Sequence, residues 1–260
     1  MSARTEMYDT PGIAIDPIIR DSFPCVDELL QELVAEKKGI FQEPAFHDFF
    51  SAPSTRLVFS DSALPAEIGA FSLHAGFEDD GYFHDTIFLN SSLFRKISRE
   101  YLISVIIHES LHAYITWCFV CYAYNHRNGV DAAYLKKHFH SHWEWLTLHD
   151  PYIINEQQHE LMSENFIKMM ERALYLHTNP WSDPELRDKI TKALTWGGLN
   201  KTRQWARLGD DTCRLHSIDI WSRNIDADMH KVVDFPNCTT ITTKHFLDSL
   251  QLQPLCKSKS

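Results

Sequence analysis

Residues 101–124 read YLISVIIHESLHAYITWCFVCYAY, an almost uninterrupted apolar run near the middle of the chain. A helix that is apolar on every side is a helix buried in a protein core. Ser98 precedes the run at the position of an N-cap, and Glu100 would lie near the positive end of the helix dipole. The sequence therefore predicts a buried central helix around which the remaining elements pack.

The central run contains His108-Glu109-Ser110-Leu111-His112, an H-E-x-x-H pentad. Residues four apart lie one turn above each other on a helix, so the imidazoles of His108 and His112 can hold one Zn²⁺ at about 2.0–2.1 Å. Glu109 is offset by one residue, and its carboxylate can deprotonate a water and pass the proton to a leaving amine. Burying these polar groups is costly without a partner. The apolar context therefore favours a metal site over two histidines bonded to neighbours and a solvated glutamate.

A catalytic zinc normally has three protein ligands and an open position for water. We expect His159 to be the third ligand, because it lies within NEQQHELMSENF, a segment long enough to form a helix beside the first one. Ligands on helices are held more rigidly than ligands on loops. Glu164 and Glu156 are the reserve candidates. Other possible ligands follow the pentad along the chain: His126, His138, His140, His142, His149 and Glu160.

The segments on either side of the central run indicate the fold class. Val26 to Lys37 has the apolar spacing of an amphipathic helix that ends at Gly39. Short β-like stretches follow, and then helical patterns. The β-like stretches are TRLVFS, GAFSLHA and DTIFLN between residues 55 and 90, and the helical patterns cover 131–148, 154–177 and a segment from Asp183-Pro184 to Gly197-Gly198. This order predicts an α+β domain in which helices predominate.

Composition narrows the class of protein. The 260 residues are 44% apolar and carry a formal charge of −10, so we expect one compact unit whose averaged field repels a phosphate backbone. Nucleic acid is therefore not expected as the main ligand. No apolar run reaches about 18 residues and the first residues do not resemble a signal peptide, so no membrane partner is expected and the predicted location is cytoplasmic. The six cysteines lack a framework and are expected to be free thiols.

Two further patterns have a simpler interpretation than metal binding. On a helix, only His138 and His142 of the run His138-Phe139-His140-Ser141-His142 share a face, which is typical of a solvated surface. Cys118 and Cys121 form a C-x-x-C without the second pair that a zinc ribbon needs, so they are expected to be small buried residues of the central helix.

Taken together, the stretch ending in DTIFLN, the helix VIIHESLHAYI and the later segment QQHELMSENFI resemble the SprT-like and minimal gluzincin-type zinc metallopeptidases. The finer likeness is to proteins of gut-type bacteria and their mobile elements. It rests on the segment from Gln158 to Asn165 and on W-G-G-L at residues 196–199, and the whole resemblance covers roughly residues 55 to 205. DNA-associated members of the group often carry a zinc ribbon or a basic tail. This acidic chain has only lone cysteines after residue 200, so the resemblance does not extend to a DNA-linked role.

The resemblance implies a zincin-like domain with a small N-terminal β-sheet and an active-site helix. It implies Zn²⁺ on His108, His112 and His159, Glu109 as general acid/base, and a protein or peptide as substrate. We expect this domain to span residues 1–205, with 1–20 as an N-terminal arm and 206–260 as an extension packed on the same domain. Oxyanion donors besides zinc are left open among Tyr114, Tyr152 and His177.

Two other functions stay open at this point. A ferritin-like di-iron carboxylate protein would use the E-x-x-H motifs Glu109/His112 and Glu156/His159. Its bundle would be all helical, however, and the spacing of 47 positions from Glu109 to Glu156 leaves little room for an intervening helix. The third possibility is a zinc-binding module without catalytic activity, because an intact H-E-x-x-H indicates capacity and not turnover.

Overall fold

The computed structural model describes most of the chain between Gly12 and Gly209 and four residues beyond. The described residues are 12–35, 41, 43–78, 81–124, 127–139, 155–177, 184–209, 215, 218, 219 and 255.

Four strands form one small mixed sheet: β1 (Gly12–Ile15), β2 (Thr55–Ser62), β3 (Ala70–Phe77) and β4 (Phe83–Asn90). Their order is β1-β2-β4-β3, with parallel β1/β2 and β2/β4 pairs and an antiparallel β3/β4 pair. The three β-like stretches predicted between residues 55 and 90 are confirmed as β2, β3 and β4. The stretch GIAI of β1 lies in the segment interpreted as an N-terminal arm, and its four residues are too few to show an alternating pattern.

Helices account for most of the other described residues, so the fold is α+β as expected. They are α1 (Pro17–Ser22), α2 (Pro24–Ala35), α3 (Pro44–Ser51), α4 (Arg99–Ala123), α5 (Ala132–Phe139), α6 (Asn155–Asn165), α7 (Ile167–His177), α8 (Pro184–Thr195) and the short α9 (Arg203–Ala206), with a 3₁₀ turn at Arg127–Gly129. The amphipathic α2, the start of α5 and the Pro-led α8 lie where the sequence predicts them. The predicted extension of α5 to residue 148 lies outside the described residues.

The central helix predicted from the apolar run is α4. Ser98 is its N-cap, and the Ser98 hydroxyl accepts a hydrogen bond of 3.0 Å from the backbone N–H of Tyr101. Trp117 and Tyr114 are among the largest fully buried side chains. Each fully buried Leu or Ile of this helix contributes about 1.5–3 kcal/mol, so α4 forms the core of the protein.

Among the described helices, α4 alone is long and apolar enough to cross a membrane by length and composition. Every 18-residue window of α4 contains His108, Glu109 and His112, so this result does not contradict the absence of an uninterrupted apolar run of that length. However, 83% of its most apolar 18-residue window is buried inside the protein. This is the burial of a core helix.

One predicted helix is in fact two. The pattern over residues 154–177 predicts a single helix, whereas α6 ends at Asn165 and α7 begins at Ile167. The side-chain amide of Asn165 donates to the carbonyl of Leu161 at 2.9 Å. Short polar side chains compete in this way for the backbone ladder, which accounts for the interruption.

The loop before β3 lies directly on α4. A Cβ at Gly69 would stand 2.7 Å from Tyr101 Oη and 2.9 Å from Val105 Cγ2, so only glycine permits this approach. Buried Asn90 holds the loop, because its amide donates to the carbonyls of Ile68 at 2.7 Å and Pro65 at 3.0 Å. The N-terminal half of α4 therefore has a fixed wall facing it.

The few described residues after 209 contact the same core. Leu215 and Ile218 are buried in it, and the backbone N–H of Leu255 donates to the carbonyl of Ile97 at 3.0 Å. The cysteine prediction needs one correction. Cys118 and Cys121 are buried and form no disulfide, as expected, but Cys25 is disulfide-bonded.

Candidate metal centre

The pentad lies on the side of α4 that faces β3 and α6. Cleft-lining residues recur on the helix at the spacing of one face: Tyr101, Ser104, Val105, His108, Glu109 and His112. Glu109 and His112 are buried, with 8% and 5% of their surface exposed. The helix therefore directs two imidazoles and one carboxylate toward the same space.

His159 projects from α6 into this space and completes a triangle. The Nε2 atoms of His108, His112 and His159 lie 3.1 Å from one another in all three pairs. Together they form the one group of potential metal ligands found among the described residues. The three histidines chosen from the sequence are thus brought together, and the group can hold a metal ion.

The triangle has no satisfactory arrangement of hydrogen bonds by itself. Each Nε2 of a neutral imidazole is either a donor or an acceptor. Among three mutually close nitrogens, at least two must play the same role and repel each other. A cation satisfies all three lone pairs at once. Tetrahedral bonds of about 2.0–2.1 Å place ligand nitrogens about 3.3 Å apart, close to the observed spacing, so the donor set fits zinc.

A buried glutamine orients His112. The Nδ1 atom of His112 contacts Gln158 Oε1, and the Gln158 amide donates to Thr116 Oγ1 at 3.3 Å. With Nδ1–H as the donor to the glutamine oxygen, Nε2 carries the lone pair. A metal ligand needs this tautomer, and such partners commonly fix it.

Burial also favours the ligand form of His159. Desolvation lowers the pKa of His159 below its usual 6.5, and Lys201 lowers the pKa further, while Glu156 acts in the opposite direction. The neutral imidazole therefore persists to lower pH than in water, and only the neutral form can coordinate a metal.

Glu109 is held beside the three histidines by a strand residue. Ser72 of β3 donates from its Oγ to Glu109 Oε2 at 2.9 Å, and the same Oγ lies 3.2 Å from the backbone carbonyl of Glu109. The carboxylate is an acceptor and not a member of the metal-ligand group. Its place next to the histidines suits a proton carrier.

A cleft of about 410 Å³ opens over these groups. One wall is the strand and loop from Glu67 to Ser72, and the floor is α4. Gly197 and Gly198 close the opposite side. Gly198 has φ +80°, and a Cβ there would lie 3.1 Å from His108 Cε1, so its backbone packs against the imidazole. The centre therefore lies in an open cleft lined by β3, by α4, by α6 and by these two glycines.

The reserve ligands are not part of the triangle. Glu156 is exposed. Glu160 accepts from the backbone N–H of Arg203 at 2.9 Å, and Glu164 lies 3.7 Å from the Arg203 guanidinium. His138 packs against the ring of Tyr134 on α5, and the remaining histidines named as possible ligands, His126, His140, His142 and His149, lie outside the described residues.

The oxyanion candidates need correction as well. Tyr114 is fully buried, with its hydroxyl 3.2 Å from that of Tyr134, and it does not line the cleft. His177 is buried and does not line the cleft either, and Tyr152 lies outside the described residues. The tyrosine that does line the cleft is Tyr101, which lies on a different face of α4 from Tyr114.

Sequence reasoning missed Ser72 and Gln158. Gln158 precedes the chosen ligand His159, and a polar side chain next to a ligand on a helix is a usable signal. Ser72 carries no such signal, because its role depends on the packing of a strand against α4. The glycines of W-G-G-L were interpreted as the end of a helix and as part of a resemblance, and the contact between Gly198 and His108 was not predicted.

Comparisons of the chain with protein-family models, curated proteins and solved structures found no match. The likeness to SprT-like and gluzincin-type peptidases therefore stays a prediction from the sequence.

Proposed function

We propose that the protein is a zinc-dependent metallopeptidase of zincin-like fold that hydrolyses peptide bonds. The observation that carries this proposal is the triangle of Nε2 atoms, 3.1 Å on each side, with the Glu109 carboxylate beside it in an open cleft. Zinc held there would polarise the scissile carbonyl and lower the pKa of water to about 7. Proton transfer and substrate binding are the tasks of residues of the chain itself.

Glu109 is the general acid/base of the proposed reaction. Its carboxylate takes a proton from the attacking water and returns it to the leaving amine. A group that shuttles protons must be near the reacting atoms and held in place, and the hydrogen bond from Ser72 meets the second condition.

The substrate we propose is an extended segment of a protein or peptide. β3 is an edge strand of the described sheet, and its residues Ala70, Phe71 and Ser72 line the cleft. An extended chain can add to such an edge through backbone hydrogen bonds. This would place a peptide bond over the histidines. A cytoplasmic location belongs to the same proposal.

The di-iron alternative has weaker support. Its ligands would include Glu109 and Glu156, whereas the group found among the described residues contains three histidines and no carboxylate. The mixed sheet also has no counterpart in an all-helical bundle. Metal analysis separates the two functions, since about one zinc per chain supports the peptidase and two irons would contradict it.

The decisive experiment compares the wild type with Glu109→Gln. Both proteins are loaded with zinc and incubated with a peptide library, with and without a chelator. We expect both to bind zinc with similar affinity, and only the wild type to cleave peptides, in a reaction that the chelator stops and added zinc restores. Undiminished cleavage by Glu109→Gln would refute the role of Glu109. Zinc binding without any cleavage would favour a silent module.

A further inference from the structure

We propose that Ser72 is a positioning residue that holds the Glu109 carboxylate in its working orientation. The inference rests on the proposed function and adds a residue from the strand to a site otherwise built on helices. It stands on the 2.9 Å hydrogen bond from Ser72 Oγ to Glu109 Oε2 and on the place of Ser72 in the wall of the cleft.

The register of β3 explains why this hydroxyl faces α4. Ser72 pairs with Ile87, and Ala70, two residues earlier on the same face, pairs with Leu89. Ile87 and Leu89 are fully buried and Ala70 is nearly so. A hydroxyl on an apolar inward face costs free energy unless it is bonded. The hydrogen bond from Ser72 to Glu109 offsets this cost.

Two oxygens compete for the single hydrogen of Ser72. The backbone carbonyl of Glu109 lies 3.2 Å away, but it belongs to the middle of α4, where helical geometry supplies the N–H of residue 113 as a donor. The carboxylate oxygen is closer, and the proposed general base is an ionised carboxylate, to which hydrogen bonds are stronger than to a neutral carbonyl. The hydroxyl therefore acts mainly on the carboxylate.

This contact restrains a side chain that otherwise has three rotatable bonds. A base that is already oriented does not have to be ordered during the reaction, and that saving appears in the rate of the chemical step. Because Ser72 belongs to the same strand whose edge would bind the substrate, one element positions both partners of the proton transfer. Loss of the hydroxyl should lower kcat with little change in KM.

The kinetic test compares three variants in the zinc-loaded protein. Ser72→Ala removes the hydroxyl, and Ser72→Thr retains it. Ser110→Ala is the matched control, because Ser110 is a buried serine next to Glu109 whose Oγ has no hydrogen-bond partner within the part of the chain that the structure describes. We expect Ser72→Ala to lower kcat about tenfold, equivalent to about 1.4 kcal/mol, with KM within about twofold of wild type. Ser72→Thr should restore most of kcat, and Ser110→Ala should match wild type. A Ser72→Ala variant with wild-type kcat would overturn the proposal.

A binding test separates this inference from the proposed function. Acetohydroxamic acid binds zinc and offers a proton to the neighbouring carboxylate, so its affinity for the zinc-loaded protein reports on Glu109 without turnover. We expect Ser72→Ala and Glu109→Gln each to weaken binding about five- to tenfold, and the double variant to bind no more weakly than Glu109→Gln alone. Coupling of this kind in a protein that cleaves no peptide would support Ser72 and contradict the peptidase. Independent, multiplicative effects would overturn the role of Ser72.

Discussion

Replacing Gln158 by alanine should lower the affinity of the protein for zinc without unfolding it. Gln158 is 3% exposed, its Oε1 contacts His112 Nδ1, and its amide reaches Thr116, so alanine removes the acceptor that fixes the His112 tautomer. Partners of this kind typically contribute 10–100-fold to metal affinity. Burial of the site hinders water from replacing the lost oxygen, so we expect a loss at the upper end of that range, about 2–2.7 kcal/mol.

The assay is competition for zinc with a fluorescent chelator of known affinity. The matched control is Gln157→Ala, which removes the same side chain from the neighbouring, exposed position of α6. Circular dichroism of the metal-free proteins checks that both variants fold. Gln157→Ala should bind zinc like wild type. If Gln158→Ala also binds within about threefold of wild type, the glutamine does not orient the ligand and the reasoning from tautomers fails.

Two further outcomes test the same centre. Gly198→Ala and Gly81→Ala both force a side chain into a positive φ, +80° and +81°, so both should lose about 1 kcal/mol of stability in denaturant titrations, but only the Cβ at Gly198 meets His108. Gly198→Ala should therefore also weaken zinc binding, and equal zinc affinity in the two variants would contradict the packing argument. The folded-state pKa of His159 lies below the usual 6.5, so between these two pKa values the unfolded chain binds more protons than the folded chain. The metal-free protein should therefore lose stability as the pH falls from about 6.5 toward the folded-state pKa of His159. His159→Gln should flatten this slope in denaturant midpoints measured against pH, and an unchanged slope in His159→Gln would contradict the burial effect.

The sequence contained enough information for the central helix and for the three histidines that could hold a metal ion. An apolar run with a cap and a pentad defines α4 by local rules, and His159 was chosen because it lies within a segment of helical pattern. Both predictions depend on short-range periodicity, which can be recognised in a single sequence. The triangle of Nε2 atoms confirms that these three histidines share one site.

Other features depend on packing between distant segments. The break between α6 and α7 results from the Asn165 side chain, which competes for the backbone carbonyl of Leu161. Helical periodicity in the sequence does not reveal such a competition. β1 is too short to show a pattern and is placed by pairing with β2. Ser72 reaches Glu109 only because β3 packs on α4, and no spacing rule links residues 37 positions apart. The sequence therefore predicted the three clustered histidines better than the residues that contact them.

α6 supplies, from adjacent residues, the amide of Gln158 that contacts His112 and the His159 imidazole that completes the group of three histidines. A metal bound by His159 and by the two histidines of α4 would act as a cross-link, closing a loop whose ends, His112 and His159, are 47 positions apart. A ligand that binds only the native state raises its stability by RT ln(1 + L/Kd), where L is the free ligand concentration. Removal of zinc should therefore make the protein more susceptible to proteolysis. The availability of the metal would then control the level of the protein as well as the proposed activity.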